Sequence, residues 1–229
     1  MDNDSLSLEM LRVDKLFKPG NTVAWDFLCR YEWIWEALPD VCGFIQETGA
    51  ALDGAEYETL PNNVWIHKTA VIAPTAYIGS NLIIGPGAEV RHCAFLRDSA
   101  LVGSGAVVGH FVELKNVIMF DQARAAHYNY VGDSMIGYKA HMGAGAITSN
   151  VKSDNSNVSV VCSGTRLETG MRKFGAILGD RVEIGCNSVL NPGCIVGSDT
   201  MVYPLSMVRG IIPPGCIYKK QGEVVSKHR

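Results

Sequence analysis

Residues 64–120 read VWIHKTAVIAPTAYIGSNLIIGPGAEVRHCAFLRDSALVGSGAVVGHFVELKNVIMF. An apolar residue recurs every six positions: Ile66, Ile72, Ile78, Ile84, Val90, Leu96, Val102, Val108, Leu114, Phe120. Two residues before each runs a second series: Val64, Ala70, Ala76, Leu82, Ala88, Ala94, Ala100, Ala106, Val112, Ile118. The first series returns as Leu178, Ile184, Leu190, Val196, Val202, Val208. Helices repeat every 3.6 residues and strands every two, so neither alone gives a strict six. A triangular coil does, with one hexapeptide on each of three faces. The aliphatic residue fills the interior and the small residue fits beside it. One coil cannot bury its apolar face alone, so coils must stack. Gly79, Gly85, Gly103 and Gly109 follow the aliphatic positions and are assigned to the corners, where glycine tolerates unusual backbone geometry. The fold class is therefore mainly β, a parallel β-helix.

Outward from this stretch the period breaks twice. In QARAAHYNYVGDSM, between Phe120 and Ile136, the register slips. Residues 149–175 are too long for a corner and read as a loop thrown out from the coil, the kind of segment that carries function. Residues 1–60 lack the six-fold pattern and form an N-terminal α-helical segment. Trp25, Leu28, Tyr31, Trp35 and Leu38 follow helical spacing, with Asn21 or Thr22 as cap and Pro39 as breaker. This segment is expected to cap the open end of the solenoid, with partner docking as the alternative. The β-helix domain is placed at 61–215, stopped by Pro213 and Pro214. Residues 216–229 are a solvated tail carrying Lys219, Lys220, Lys227 and Arg229.

Composition excludes several classes. The formal net charge of -3 offers no basic surface for nucleic acid. No apolar run approaches eighteen residues, so no transmembrane helix is expected. The acidic start MDNDSLSLEM does not resemble a signal peptide. The seven cysteines include no C-x-x-C pair, which suits reduced thiols in the cytoplasm.

In a coil of three hexapeptides, residues eighteen apart stack. Arg97 and Lys115 are so spaced, each just after a core aliphatic. Two stacked cations repel unless an anion bridges them, and a sugar phosphate is the natural candidate. His92 and His110 are also eighteen apart. They read as surface histidines, with a metal site as the minor alternative, because two ligands are not three.

The motifs F-V-E-L-K at 111–115, A-H-Y-N-Y-V-G-D at 126–133 and G-A-G-A-I-T-S-N at 143–150 resemble a known family. It is that of the acetyltransferase domains of bifunctional sugar-1-phosphate nucleotidyltransferase/glucosamine-1-phosphate acetyltransferases. G-T-R-L-E-T-G-M-R-K-F-G-A-I-L-G-D at 164–180 is similar to the archaeal-type branch. The resemblance covers roughly 64–215, leaves out the nucleotidyltransferase domain, and implies the left hand of the helix. It implies a homotrimer and acetyl-CoA as co-substrate, with no metal needed for the chemistry. His127 matches the catalytic base, Tyr130 and Asn150 the sugar-binding residues, and Arg97 and Lys115 the residues near the phosphate. His141 stands where the family has a sugar-binding Asn. Lys152, in the loop, is a candidate substitute for lysines that this chain replaces with Ser156 and Ser159. The backbone N–H of Ala144 matches an oxyanion donor, and Cys186 falls where the family has a Ser near acyl-CoA, as a packed thiol. Val151 replaces a family Tyr.

The function these features imply is acyl transfer from acyl-CoA to an amino sugar phosphate or nucleotide amino sugar. A non-catalytic sugar-phosphate-binding module and a metal-dependent hydratase are the competing readings. The loop 149–175, with Asn150, Lys152, Arg172 and Lys173, is expected to close over the substrate.

Overall fold

The computed structural model describes residues 7–227. It is a left-handed parallel β-helix, mainly β, with short helices near the N-terminus. Each coil has three faces. The first face stacks Val64–Ile66, Leu82–Ile84, Ala100–Val102, Val117–Met119, Ser134–Ile136, Ala176–Leu178 and Cys194–Val196. The second face stacks Ile72, Val90, Val108, Ala125, Met142, Ile184, Val202 and Tyr218. The third stacks Ile78, Leu96, Leu114, Val131, then Thr148, Leu190 and Val208. The inward aliphatics form one continuous core through the prism.

Up to Met142 the six-residue series is shortened by one residue at two repeats, Leu114 to Met119 and Val131 to Ile136. Leu96 lies opposite Leu114, but Asp98 lies opposite Lys115, so one coil is a residue short there. From that point Val117 and Met119, not Ile118 and Phe120, face the interior. Ile118 and Phe120 turn outward into a second core. One slip therefore precedes Phe120 and a second falls inside QARAAHYNYVGDSM, where Val131 to Ile136 is five residues, so successive coils repeat there every seventeen residues, as from Val107 to Arg124 to His141.

The glycines after the aliphatics are not the corner residues. A Cβ at Gly109 would lie 1.7 Å from the Ala126 carbonyl oxygen of the next coil, so close approach demands glycine there. The left-handed backbone falls elsewhere: Cys93, Phe111, Tyr128, Asn187 and Leu205 have φ between 52° and 59°. Repeating non-glycine residues in this region are uncommon and hold only where the coil fixes them.

The helices of the N-terminal segment do not cap the open end; Tyr57–Leu60 covers its edge there by pairing antiparallel with Val64–His67, and the helices lie along the first face. The outward residues of that face are Trp65, Ile83, Leu101, Ile118, Met135, Ile177 and Ile195, none more than 7% exposed. They pack against Leu11, Phe17, Phe27, Ile34, Trp35, Leu38 and Ile45. Each such side chain removed from water contributes about 1.5–3 kcal/mol, so the stripe is a second core rather than a surface. The expected single helix is broken into α1 (Val13–Leu16), α2 (Trp25–Leu28), a 3₁₀ turn at Ile34–Asp40 and α3 (Val41–Ala50). Thr22 accepts the Ala24 N–H instead of capping α2. Asp180, 1% exposed, ties the layer down by accepting the N–H groups of Lys18 and Tyr138. Burial outweighs these bonds and raises its pKa.

The loop 149–175 is not irregular. Ser159–Cys162 and Thr165–Glu168 form an antiparallel hairpin. Its Val158, Val160 and Cys162, with Phe174, are buried in the second core beside Trp35. This hairpin extends the covering layer. Nor does the coil stop at Pro213 and Pro214. Cys216–Lys220 continues the second face, and Glu223–Ser226 folds back antiparallel to finish it. Lys219 and Lys220 pair with Glu223; Arg229 lies outside the described residues. Among the described residues no helix is long and apolar enough to cross a membrane.

Candidate active site

The corner between the second and third faces carries the first group of candidates. Two positions after each inward aliphatic, Pro74, His92, His110, His127, Ala144, Cys186 and Pro204 follow one another in a column along the helix axis. Backbone bonds link it: Gly145 donates to the His127 carbonyl at 3.0 Å, and Asn187 to the Ala144 carbonyl at 2.8 Å. His127, Ala144 and Cys186 are thus brought together in one column. His127 is exposed. Its corner is fixed by Asn129, 2% exposed, which accepts the His127 N–H at 3.1 Å and donates to the Gly143 and Ala146 carbonyls. Asn129 lies inside the A-H-Y-N motif and went unassigned because its burial is invisible in a sequence.

The column position has a recurrent problem, a backbone N–H without a carbonyl to meet. Proline removes it at Pro74, Pro86, Pro204 and Pro214. An acid or amide side chain satisfies it at Ser104, His127 and Tyr138. At His92, Ala144 and Cys186 neither applies, and no acceptor meets those N–H groups among the described residues; of the three, Ala144 is next to His127. A donor left open beside an exposed imidazole is the geometry an oxyanion requires. Cys186 is exposed on the next coil, not packed as expected. The packed thiol is Cys194, whose pKa burial raises to about 12.

The third face carries the second group. Asp133, 4% exposed, is its hub. Lys115 Nζ donates to its carboxylate at 3.1 Å, Asn116 Nδ2 at 3.0 Å and Asn150 Nδ2 at 2.6 Å. Asn150 Nδ2 also donates to the Tyr130 hydroxyl at 3.2 Å. Gly132 makes room, since a Cβ there would sit 2.5 Å from the Tyr130 hydroxyl and 2.9 Å from Asn150 Nδ2. Burial, then the charges of Asp133 and Glu113, raise the Tyr130 pKa, so it is a neutral phenol. Arg97 and Lys115 do not stack. The shortened coil sets Lys115 against Asp98, and Arg97 pairs with Glu113 at 3.2 Å. Each cation therefore already holds a carboxylate, and no bridging anion is needed to explain them.

Two candidates lie apart. His141 sits on the second face with Nδ1 2.9 Å from Glu183, beside a hollow of about 350 Å³ shared with Gln122, Arg124 and Lys139. Lys152 bonds Ser156 and approaches Asp154 within its own turn. Of the loop cations, Arg172 reaches Asn155 and Lys173 pairs its backbone with Val151. His110 donates to the His92 carbonyl at 2.8 Å. Among the described residues no group of three or more His, Cys, Asp or Glu side chains is placed to hold a metal ion.

Fold and site define a hexapeptide-repeat solenoid with a histidine at an exposed corner. Residues 59–92 match the family described as bacterial transferase hexapeptide (six repeats). The chain is 30% identical over 159 residues to the bifunctional protein GlmU of Methanococcus vannielii, covering 69% of this chain and 34% of that protein. It is 33% identical over 108 residues to a bifunctional sugar-1-phosphate nucleotidylyltransferase/acetyltransferase of Sulfurisphaera tokodaii, covering 47% and 27%. The chain thus spans about a third or less of the length of these curated relatives. A putative acetyltransferase of Bacillus cereus aligns with TM-score 0.44 at 14% identity, over 74% of this chain and 80% of that one. The repeat region of this chain is thus similar to the hexapeptide transferase repeats of these proteins.

Proposed function

We propose that this chain transfers an acetyl group from acetyl-CoA to the amine of an amino sugar held as a phosphate or nucleotide conjugate. The observation that carries the reading is the column itself: exposed His127 directly beside Ala144, whose N–H has no acceptor among the described residues. The Sulfurisphaera tokodaii relative, similar over 108 residues, bears an acetyltransferase name. The amine nitrogen attacks the thioester carbon while His127 takes its proton as general base. The oxygen becomes negative and is met by the Ala144 N–H. Collapse breaks the C–S bond, and the CoA sulfur leaves with the proton held on the imidazole. No acyl-enzyme is formed, so exposed Cys186 borders the path of the pantetheine arm and is not a nucleophile. Tyr130 and Asn150 orient the sugar.

A second copy of the chain completes the site in this reading. Tyr77, Phe95, Phe111, Tyr128, Leu205 and Met207 are exposed along the third face and its corner. An apolar row of this kind on a soluble prism marks an interface, and a homotrimer by rotation covers it. Light scattering at micromolar concentration should give three chains; a mass of one chain would contradict it.

The test of function is acetyl-CoA consumption with a panel of glucosamine, glucosamine 1-phosphate and nucleotide-linked amino sugars, products read by mass. The reading expects a gain of one acetyl group on nitrogen for at least one acceptor. Sugar binding without turnover on any of them would favour the non-catalytic module.

A further inference from the structure

We infer that Asp133 determines acceptor specificity: by holding the Lys115 ammonium and the Asn150 amide, it turns this subsite toward a hydroxyl- or amine-bearing ring and away from phosphate. The inference rests on the acceptor reading above and deepens it. A carboxylate only accepts hydrogen bonds. Asn150 must therefore point its amide nitrogen inward, where it also meets the Tyr130 hydroxyl. That fixes its outward atom as Oδ1, to which nothing donates among the described residues. The Tyr130 oxygen already accepts from Asn150, which leaves its own O–H to donate. The pair thus presents one acceptor and one donor side by side, the complement of a sugar hydroxyl or amine.

Phosphate needs the opposite, several donors and net positive charge. The nearby cations do not supply it. Lys115 is bonded to a carboxylate that is 4% exposed, and Arg97 to Glu113. Asp98 adds a further negative charge, accepting from Ser80, Asn81 and Ser99. Among these five side chains two cations meet three carboxylates, an excess of one negative charge, and the further cation beside Asn150 is Lys173 on the loop side, whose backbone bridges Val151. A phosphate would have to separate Lys115 from a buried partner to reach it, and a buried charge stripped of its partner is costly. A phosphate or nucleotide on the acceptor is then directed away from Lys115.

Direct binding, by calorimetry, tests this without turnover. The probes are glucosamine, glucosamine 1-phosphate and inorganic phosphate, against wild type, Asp133→Asn and Lys115→Met, each checked for fold by circular dichroism. Asp133→Asn frees the ammonium and lets the Asn150 amide turn. It should bind inorganic phosphate and glucosamine 1-phosphate at least about tenfold more tightly than wild type, and glucosamine about tenfold more weakly. Lys115→Met, which keeps the length of the side chain, should leave glucosamine 1-phosphate affinity within about threefold. If Asp133→Asn does not fold, Lys115→Met decides alone. A loss of about tenfold or more in glucosamine 1-phosphate affinity in Lys115→Met, or an unchanged phosphate affinity in a folded Asp133→Asn, would overturn the inference. Absent acetyl transfer with an intact phosphate switch would sink the enzymatic reading and leave the subsite standing.

Discussion

The first face and the corner at His127 are built from the same repeat and finished in opposite ways. Outside the first face, Trp65, Ile83, Leu101, Ile118, Met135, Ile177 and Ile195 are all apolar and all covered. At the corner, His92, His110, His127, Ala144 and Cys186 are polar or small, and His127 and Cys186 are exposed. The inner residues of a solenoid coil specify only that it is a coil. The outer residues decide what each face is for, a bed for a covering layer or an open edge for ligands. Burial does the work on one side, and unmet hydrogen-bonding groups do it on the other.

The largest effect should come from uncovering the first face. Deleting residues 7–52 exposes a continuous apolar stripe and should give aggregated protein, seen as loss of the soluble fraction and strong binding of a hydrophobic dye. Soluble, dye-negative protein would break the comparison. Ile118→Ala, at a site 0% exposed, should cost about 2–5 kcal/mol of stability in denaturant titration. The same truncation at Val71, 64% exposed and outside the apolar row of the third face, should cost within about 0.5 kcal/mol, since surface changes are small. Gly132→Ala should push Tyr130 and Asn150 apart. Its acceptor KM should rise about tenfold, the worth of one well-placed hydrogen bond, with little change in acetyl-CoA KM.

A smaller effect separates the two regions by pH. Burial raises the Asp180 pKa, so the folded state holds that proton more tightly than the unfolded chain. The resulting stabilisation is full below the unfolded carboxylate value, about 3.9, and is lost as pH rises through the folded one. Relative to Asp180→Asn, the wild type should therefore gain stability on acidification through that window; a relative loss would contradict the account. The smallest effect is expected at Arg97→Ala. Its pair with Glu113 is largely exposed, and such pairs contribute about 0–1 kcal/mol.

The sequence carried the coil almost completely, because period six has one simple solution and inward residues such as Val90, Leu96 and Val108 obey it. The covering layer was equally present in the letters, at Trp65, Ile83 and Leu101, each just before an inward aliphatic. Period six alone does not mark it, because these residues lie between the two repeating series and counting assigns them no place. The one-residue shortening at Lys115 moved every later face, and so undid the stacking of Arg97 on Lys115 that pure counting by eighteen suggests. His127, Tyr130, Asn150 and Ala144 were reachable through motif resemblance. Asp133 and Asn129 lay inside the same motif but act through hydrogen bonds between coils, which no local spacing reveals. The hairpin within 149–175 was hidden because its apolar residues, Val158, Val160 and Phe174, face a layer instead of the prism interior.

The central claim is that the exposed corner is where chemistry occurs, with His127 as the base. The most direct measurement is steady-state acetyl transfer by His127→Ala beside wild type, on whichever amino sugar the wild type acetylates. The account predicts a kcat lowered by about 10²–10⁴-fold, an acceptor affinity little changed because the base acts in the transition state, and an unaltered melting temperature because the side chain is exposed. A kcat equal to that of the wild type would remove His127 from the mechanism and the corner from its role.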